Sequence, residues 1–262
     1  MNVIDFASKK RQNDKISMVT CYDYWSAQIL EKTDIDMLLV GDSLAMVMHG
    51  FPSTVHATIE LMEIHSAAVR RGAPNKFIVG DLPFLTARYS VDLVLDNVRR
   101  LMHAGCNAVK IEGAIGHIDV IKHIVESGVP VMGHLGLTPQ SVEAFGGHKV
   151  QGKSACSAEK ILEEAKLLEH AGCFGMVLEC IPQKLGDRIT RNVSIPTIGI
   201  GAGPHTDGQV LVLQDMLGMQ EDFKPKFLRH YLKGSEVLSE AVDRFHEDVT
   251  QSEFPSCEES YR

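Results

Sequence analysis

The chain has 262 residues, 44% of them hydrophobic, and sets 26 Lys and Arg against 34 Asp and Glu for a net charge of −8. That is ample apolar material for one large α/β domain, and the regular recurrence of apolar runs favours one domain over residues 1–262, with a frayed tail from about 252. Positive charge is clustered only in pairs such as Arg70-Arg71 and Arg99-Arg100, which argues against nucleic acid as a partner, because phosphate neutralisation needs grouped cations.

The start, MNVIDFASKKRQNDK, is polar, and no apolar stretch approaches the roughly eighteen residues that span a bilayer. Neither a signal peptide nor a membrane helix is therefore expected. The six cysteines include no C-x-x-C pair, so they read as reduced thiols used as small hydrophobes, and a zinc site is disfavoured. Together these features predict a soluble, cytoplasmic protein.

In chain order, strands are expected at 16–22, 37–41, 77–80, 108–112, 129–133, 175–178, 195–200 and 209–213, each a continuous Val/Ile/Leu/Met-rich run. Helical periodicity lies between most of them, over 57–72, 90–105, 117–128 and 157–172. Gly72, Gly105, Gly128 and Gly172 stand where left-handed C-terminal caps are wanted. Eight strands alternating with helices predict a closed (β/α)8 TIM barrel. Residues His103–Glu112 and His170–Glu179 match in helix end, turn, strand and terminal glutamate. Whether this reflects duplication or convergence, it puts Glu112 and Glu179 at equivalent strand ends.

The connections 44–57 and 135–157 are longer than tight βα turns and should overhang the barrel mouth, the second as a mobile cover. The link around Pro204–Gly208 is too short for a full helix. Beyond about 219 come amphipathic segments.

Asp23, Asp42, Asp81, Glu112, His134 and Glu179 all stand at or just past the ends of apolar runs, where barrel enzymes build their sites. Asp42 and Asp81 offer hard oxygen ligands to Mg²⁺, with Glu112 a third acid nearby; a single Asp in such a place could equally cap the following helix. Lys110 and Glu112 share a strand face, opposite to Val109 and Ile111. A lysine pointing into a barrel needs a partner, whether an acid, a substrate carboxylate or a structural ion pair. His134 could bond a substrate oxygen or be a satisfied structural side chain. Glu179, in an apolar mouth, suits a general base because such surroundings raise a carboxyl pKa. The glycines of GIGAGP (199–204) are a weak phosphate signal, lacking the G-x-G-x-x-G spacing.

These motifs occur in order from Ile16 to Leu217: Tyr22-Asp23, Gly41-Asp42-Ser43-Leu44, Val79-Gly80-Asp81-Leu82-Pro83-Phe84, Val109-Lys110-Ile111-Glu112-Gly113, Gly133-His134-Leu135-Gly136-Leu137-Thr138-Pro139-Gln140, Lys149-Val150-Gln151-Gly152, Leu178-Glu179-Cys180 and Gly199-Ile200-Gly201-Ala202-Gly203. Together they closely resemble the ketopantoate hydroxymethyltransferase family. The resemblance implies a barrel of the phosphoenolpyruvate/pyruvate type, Mg²⁺ held by Asp42 and Asp81 with Glu112 beside them, and a 2-oxo acid bound by Asp42, Ser43, Asp81 and Lys110; His134, from its own placement, is expected as a further substrate contact. It implies Glu179 as proton acceptor, 5,10-methylenetetrahydrofolate as co-substrate, and a homodecamer. The activity implied is one-carbon transfer to 3-methyl-2-oxobutanoate through a Mg²⁺-stabilised enolate, giving 2-dehydropantoate for pantothenate biosynthesis. Ala45, His148 and the turn 85–88 depart from the family pattern without removing a proposed ligand. The rival within the same superfamily is a Mg²⁺-dependent 2-oxo-acid lyase or mutase, but the K-K-C-G loop such enzymes usually carry is missing here. A rival of another class is a non-catalytic barrel whose acids are structural.

Overall fold

The computed structural model describes residues 1–221 and 223–261; Arg262, at the tip of the expected tail, lies outside them. The chain divides into two compact units, Met1–Leu211 and a second from Val212 onward. In the first, the apolar runs form eight parallel strands: β1 (Ile16–Thr20), β2 (Met37–Val40), β3 (Phe77–Asp81), β4 (Ala108–Glu112), β5 (Val131–Gly136), β6 (Gly175–Glu179), β7 (Thr197–Ile200) and β8 (Gly208–Leu211). They close in sequence order, with β8 pairing back onto β1 at Gly208↔Ile16, so no edge is left exposed. Met18, Met37, Leu39, Val79, Met132, Val177, Ile198 and Val210 fill the interior.

Helix α1 (Val3–Gln12) precedes the barrel. Helices α2 (Tyr24–Glu31), α4 (Ile59–Gly72), α5 (Val91–His103), α6 (Ile118–Glu126), α8 (Ala155–His170) and α9 (Gln183–Asn192) alternate with β1 to β7, while α3 (Leu44–Val47) and α7 (Val142–Phe145) are short turns inside the long connections after β2 and β5. As expected, no helix separates β7 from β8.

The differences from expectation have local causes. β5 starts at Val131, after Pro130, which has no N–H to donate, and runs on to Gly136, so His134 lies inside a strand rather than past its end. β7 likewise starts only after Pro196. Gly105, Gly128 and Gly172 do adopt positive φ. Gly72 does not: it lies within α4, where a Cβ would come 2.5 Å from the Tyr24 carbonyl oxygen, so its role is to let α4 approach α2. Helix α1 falls in the stretch read only as polar. Its start is fixed by a capping box, Asn2 accepting from the Asp5 backbone and Asp5 from that of Asn2. It carries Phe6 onto Phe77 at 5.0 Å between ring centroids, and Lys10 onto Asp207 at 2.8 Å, closing the end of the barrel where strands begin.

The second unit contains α10 (Leu213–Met216) and α11 (Gly234–Thr250), joined through turns in which the Gly234 N–H donates to the Leu217 carbonyl. Val237, Leu238, Val242, Phe245 and Val249 are exposed along α11. Among the described residues, no helix is long and apolar enough to cross a membrane. All six cysteines are free, three of them buried.

Candidate active site

The carboxyl ends of β2 to β6 bring one polar residue after another to the same mouth. At the end of β2, Gly41 leaves room for the Ser43 hydroxyl, since a Cβ there would lie 2.9 Å from Ser43 Oγ and push it aside. This tight turn lets the Asp42 N–H donate to Asp81 Oδ2 at 3.1 Å. Asp81 closes β3, and its register neighbour on β4 is Lys110, whose Nζ lies 3.2 Å from Asp81 Oδ2. Two residues on, Glu112 is level with His134 of β5, and Glu112 Oε1 lies 3.3 Å from His134 Nδ1. From β6, Glu179 Oε2 lies 3.3 Å from His134 Nε2. The two equivalent glutamates of the internal echo therefore flank one imidazole.

All the residues expected at the site converge here: Asp42, Ser43, Asp81, Lys110, Glu112, His134 and Glu179. Asp42, Asp81, Lys110 and His134 are each 2–4% exposed. Helix capping does not account for Asp42 or Asp81, as neither caps a helix, whereas Asp23 does, accepting from the Ser26 N–H at 2.8 Å. Glu179 does not sit in apolar surroundings as anticipated: its neighbour is His134, and its side chain is 17% exposed.

Two participants carried no role in the sequence reading. Gln140, in the connection after β5, donates from Nε2 to Asp42 Oδ2 at 2.8 Å and to the Leu82 carbonyl at 3.0 Å, and its backbone N–H donates to Glu112 Oε2 at 3.0 Å. Tyr22, fully buried, hydrogen-bonds Ser43 Oγ through its hydroxyl at 2.7 Å. Both stand in motifs of the family pattern, which was the signal available; apolar periodicity marks neither.

Burial pushes the Asp42 carboxyl well above the usual range, and the charges of Asp81 and Glu112 push it further, against Lys110 and Gln140. Asp81 is raised mainly by burial too, although Lys110 opposes it. Lys110 itself is raised: burial favours losing its proton, but Asp81, Glu112 and Asp42 overcome that. The shifts of Asp81 and Lys110 disagree as measures of one ion pair, and the reason is stoichiometric. One ammonium cannot neutralise several acids, so Lys110 keeps its proton while the aspartates lack countercharge. Burial and Lys110 also push His134 towards neutrality, yet its contacts with Glu112 and Glu179 bring it up to about 9. Opposing this, Lys110 Nζ approaches His134 Nδ1 to 3.2 Å, where two protonated nitrogens repel. Glu112 is lowered: burial works against its charge but His134 outweighs it.

This electrostatic deficit is what a divalent cation would relieve. Asp81 Oδ1 is buried without a hydrogen-bond partner and Glu112 Oε1 has only its 3.3 Å contact with His134, and both are hard oxygen donors of the kind Mg²⁺ takes. Among the described residues no three His, Cys, Asp or Glu already form a metal cage, so water and substrate would complete the coordination, as is usual for Mg²⁺. The residues fit the ion.

A family profile described as ketopantoate hydroxymethyltransferase matches residues 1–257. The chain belongs to that family. A 3-methyl-2-oxobutanoate hydroxymethyltransferase of Coxiella burnetii (strain CbuG_Q212) is 54% identical over 259 residues, 98% of this chain and 97% of its own. One from Francisella tularensis subsp. novicida (strain U112) is 52% identical over 260 residues, covering 99% and 98%. The chain is thus an enzyme, a hydroxymethyltransferase. Its barrel is shared more widely. A 2,3-dimethylmalate lyase of the PEP mutase/isocitrate lyase superfamily superposes with a TM-score of 0.58 at 13% identity, over 97% of this chain and 88% of that one. A phosphonopyruvate hydrolase in complex with oxalate and Mg++ gives 0.62 at 11% identity, over 99% and 93%. Those likenesses are of fold alone and carry no lyase or mutase activity over to this chain.

Proposed function

We propose that this ketopantoate hydroxymethyltransferase family member moves the one-carbon unit of 5,10-methylenetetrahydrofolate onto C3 of 3-methyl-2-oxobutanoate, with water supplying the hydroxyl of 2-dehydropantoate. The observation that carries the proposal is the meeting of Asp42, Asp81, Glu112, Lys110, His134 and Glu179 from five consecutive strand ends at one buried, electron-rich mouth. Mg²⁺ held by Asp42 and Asp81, with Glu112 beside them, would supply the positive charge that draws electrons from a 2-oxo acid and acidifies its C3–H.

The chain's own groups do the rest. Lys110 and Ser43 bind the oxo acid, Lys110 countering its carboxylate charge from a fixed position on β4. Glu179 accepts the C3 proton. His134, in contact with both Glu179 and Glu112, orients the acceptor carboxylate and holds positive charge beside the developing negative charge. The enolate carbon then attacks the methylene carbon of the folate as one of its C–N bonds breaks, and water replaces the second nitrogen, releasing tetrahydrofolate and leaving the hydroxymethyl group on C3. The connection after β5 carries Gln140 onto the acids and covers the mouth against water. The reading includes a cytoplasmic enzyme working as a homo-oligomer, a decamer by family resemblance, and the exposed apolar residues of α11 support association.

Calorimetric titration of Mg²⁺ with 3-methyl-2-oxobutanoate tests the assignment. Wild type should bind the two cooperatively, whereas Asp42→Ala and Asp81→Ala should each lose coupled binding by at least a hundredfold. Wild-type-like binding in both variants would defeat it. Turnover with tetrahydrofolate, formaldehyde and the oxo acid should require Mg²⁺.

A further inference from the structure

Away from the carboxylates, two histidines face each other tip to tip. His49 lies just beyond α3 in the connection after β2 and is exposed; His65 is on α4 and half-buried. Their Nε2 atoms are 2.9 Å apart, with ring planes at 88°. His65 is held in place from behind, its Nδ1 hydrogen-bonding the Tyr22 backbone carbonyl. A carbonyl only accepts, so Nδ1 carries the proton and Nε2 presents a bare lone pair towards His49. A ring nitrogen anchored on a backbone carbonyl, with the other left free, is the arrangement that orients metal-ligating histidines.

We propose that His49 and His65 form a two-histidine site for a borderline transition-metal cation such as Zn²⁺, Ni²⁺ or Cu²⁺, separate from the oxygen-lined Mg²⁺ centre. Two imidazole nitrogens each about 2.05 Å from one ion stand about 2.9 Å apart when they subtend a right angle, and about 3.3 Å apart in a tetrahedron. The observed separation matches the first and falls a little short of the second, and on binding the rings turn so that both lone pairs point at the ion rather than along the line between the nitrogens. Without metal, a proton on His49 Nε2 bridges the pair. On binding, His49 takes the tautomer with its proton on Nδ1, so both lone pairs meet the ion and no net proton is released. Among the described residues no third His, Cys, Asp or Glu joins the pair, so waters fill the remaining positions and the ion exchanges readily. Imidazole donors select against Mg²⁺, so the ions sort themselves between the two centres by ligand chemistry. A bound cation would tie the connection after β2 to α4, and Tyr22, which anchors His65, also hydrogen-bonds Ser43 at the mouth.

The test uses metal-stripped full-length protein, with excess Mg²⁺ present to occupy the carboxylates, titrated with Cu²⁺ and followed by electron paramagnetic resonance and equilibrium dialysis. Wild type should bind one equivalent with a two-nitrogen signature. His49→Ala should bind at least tenfold more weakly and lose the two-nitrogen signal, while its Mg²⁺-dependent turnover in buffer free of transition metals stays at the wild-type level. His56→Ala is the control, because that ring stacks on Phe51 at 5.0 Å and takes no part in the pair, so it should bind as wild type does. The proposal is overturned if wild type binds no copper in Mg²⁺, if His49→Ala keeps the same affinity and spectrum, or if His56→Ala loses as much as His49→Ala.

Discussion

Gln140 shows how much one side chain can decide at a buried site. Its amide reaches Asp42 and its backbone N–H reaches Glu112, so a residue from a surface connection fixes two acids on different strands. Replacing it with Ala removes a side-chain hydrogen bond that lowers the Asp42 carboxyl, and a buried acid left without its donor loses roughly 1–3 kcal/mol of stabilisation. Gln140→Ala should therefore weaken Mg²⁺-coupled oxo-acid binding by about tenfold to a hundredfold, measurable by calorimetry, while leaving Glu179 and its proton transfer in place. Unchanged binding would show that the link is incidental. The acids themselves were legible in the sequence because a polar residue ending an apolar run is conspicuous. Gln140 was not, because it lies four residues past the end of β5 and its contacts depend on how the turn Pro139–Ser141 folds back over the mouth, which no local pattern encodes.

At the scale of elements, the bridge Glu112–His134–Glu179 fastens β4, β5 and β6 together through side chains as well as through the backbone ladder. The sign of its pH dependence follows from His134. The folded pKa, about 9, lies above the unfolded value near 6.5, so the stabilisation is fully present below about pH 6.5 and disappears as pH rises through about 9. In a chelator, wild type should be more heat-stable than His134→Asn at pH 6, by up to about 3 kcal/mol, and that advantage should shrink steadily to pH 9.5. A gap that stays constant with pH would mean His134 is neutral in the folded state. Element boundaries were less legible than their order. Pro130 and Pro196 delay the starts of β5 and β7 by removing a donor, while β5 runs on to Gly136, which puts His134 inside a strand in register with Glu112. Helix α1 escaped because its buried face is little more than Phe6 and Val3, too few residues for a periodic signal, while its capping box was there to be read.

On the whole-molecule scale, the barrel was readable because repetition is redundant: eight βα units state the same architecture, and an error in one does not disturb the rest. The second unit had no such repetition. On α11, Leu238, Val242, Phe245 and Val249 recur at spacings of four, three and four, the stripe of a helix that packs against another surface, and all are at least 46% exposed in the single chain. The proposed oligomer would cover them. Sedimentation velocity should show a particle several times the 28.9 kDa chain mass, and paired charges at Val242 and Phe245 should shift it towards smaller species. A wild-type monomer would contradict the oligomer without touching the chemistry.

The chemistry turns on one proton. Acids from separate strands gather positive charge opposite a 2-oxo acid so that Glu179 can take the hydrogen from its C3. Nuclear magnetic resonance of 3-methyl-2-oxobutanoate in D₂O, with enzyme and Mg²⁺ but no folate, follows that step alone. Wild type should exchange the C3 hydrogen for deuterium, and Glu179→Gln should bind the acid yet exchange it at least a hundredfold more slowly. Exchange at the wild-type rate in Glu179→Gln would contradict the account.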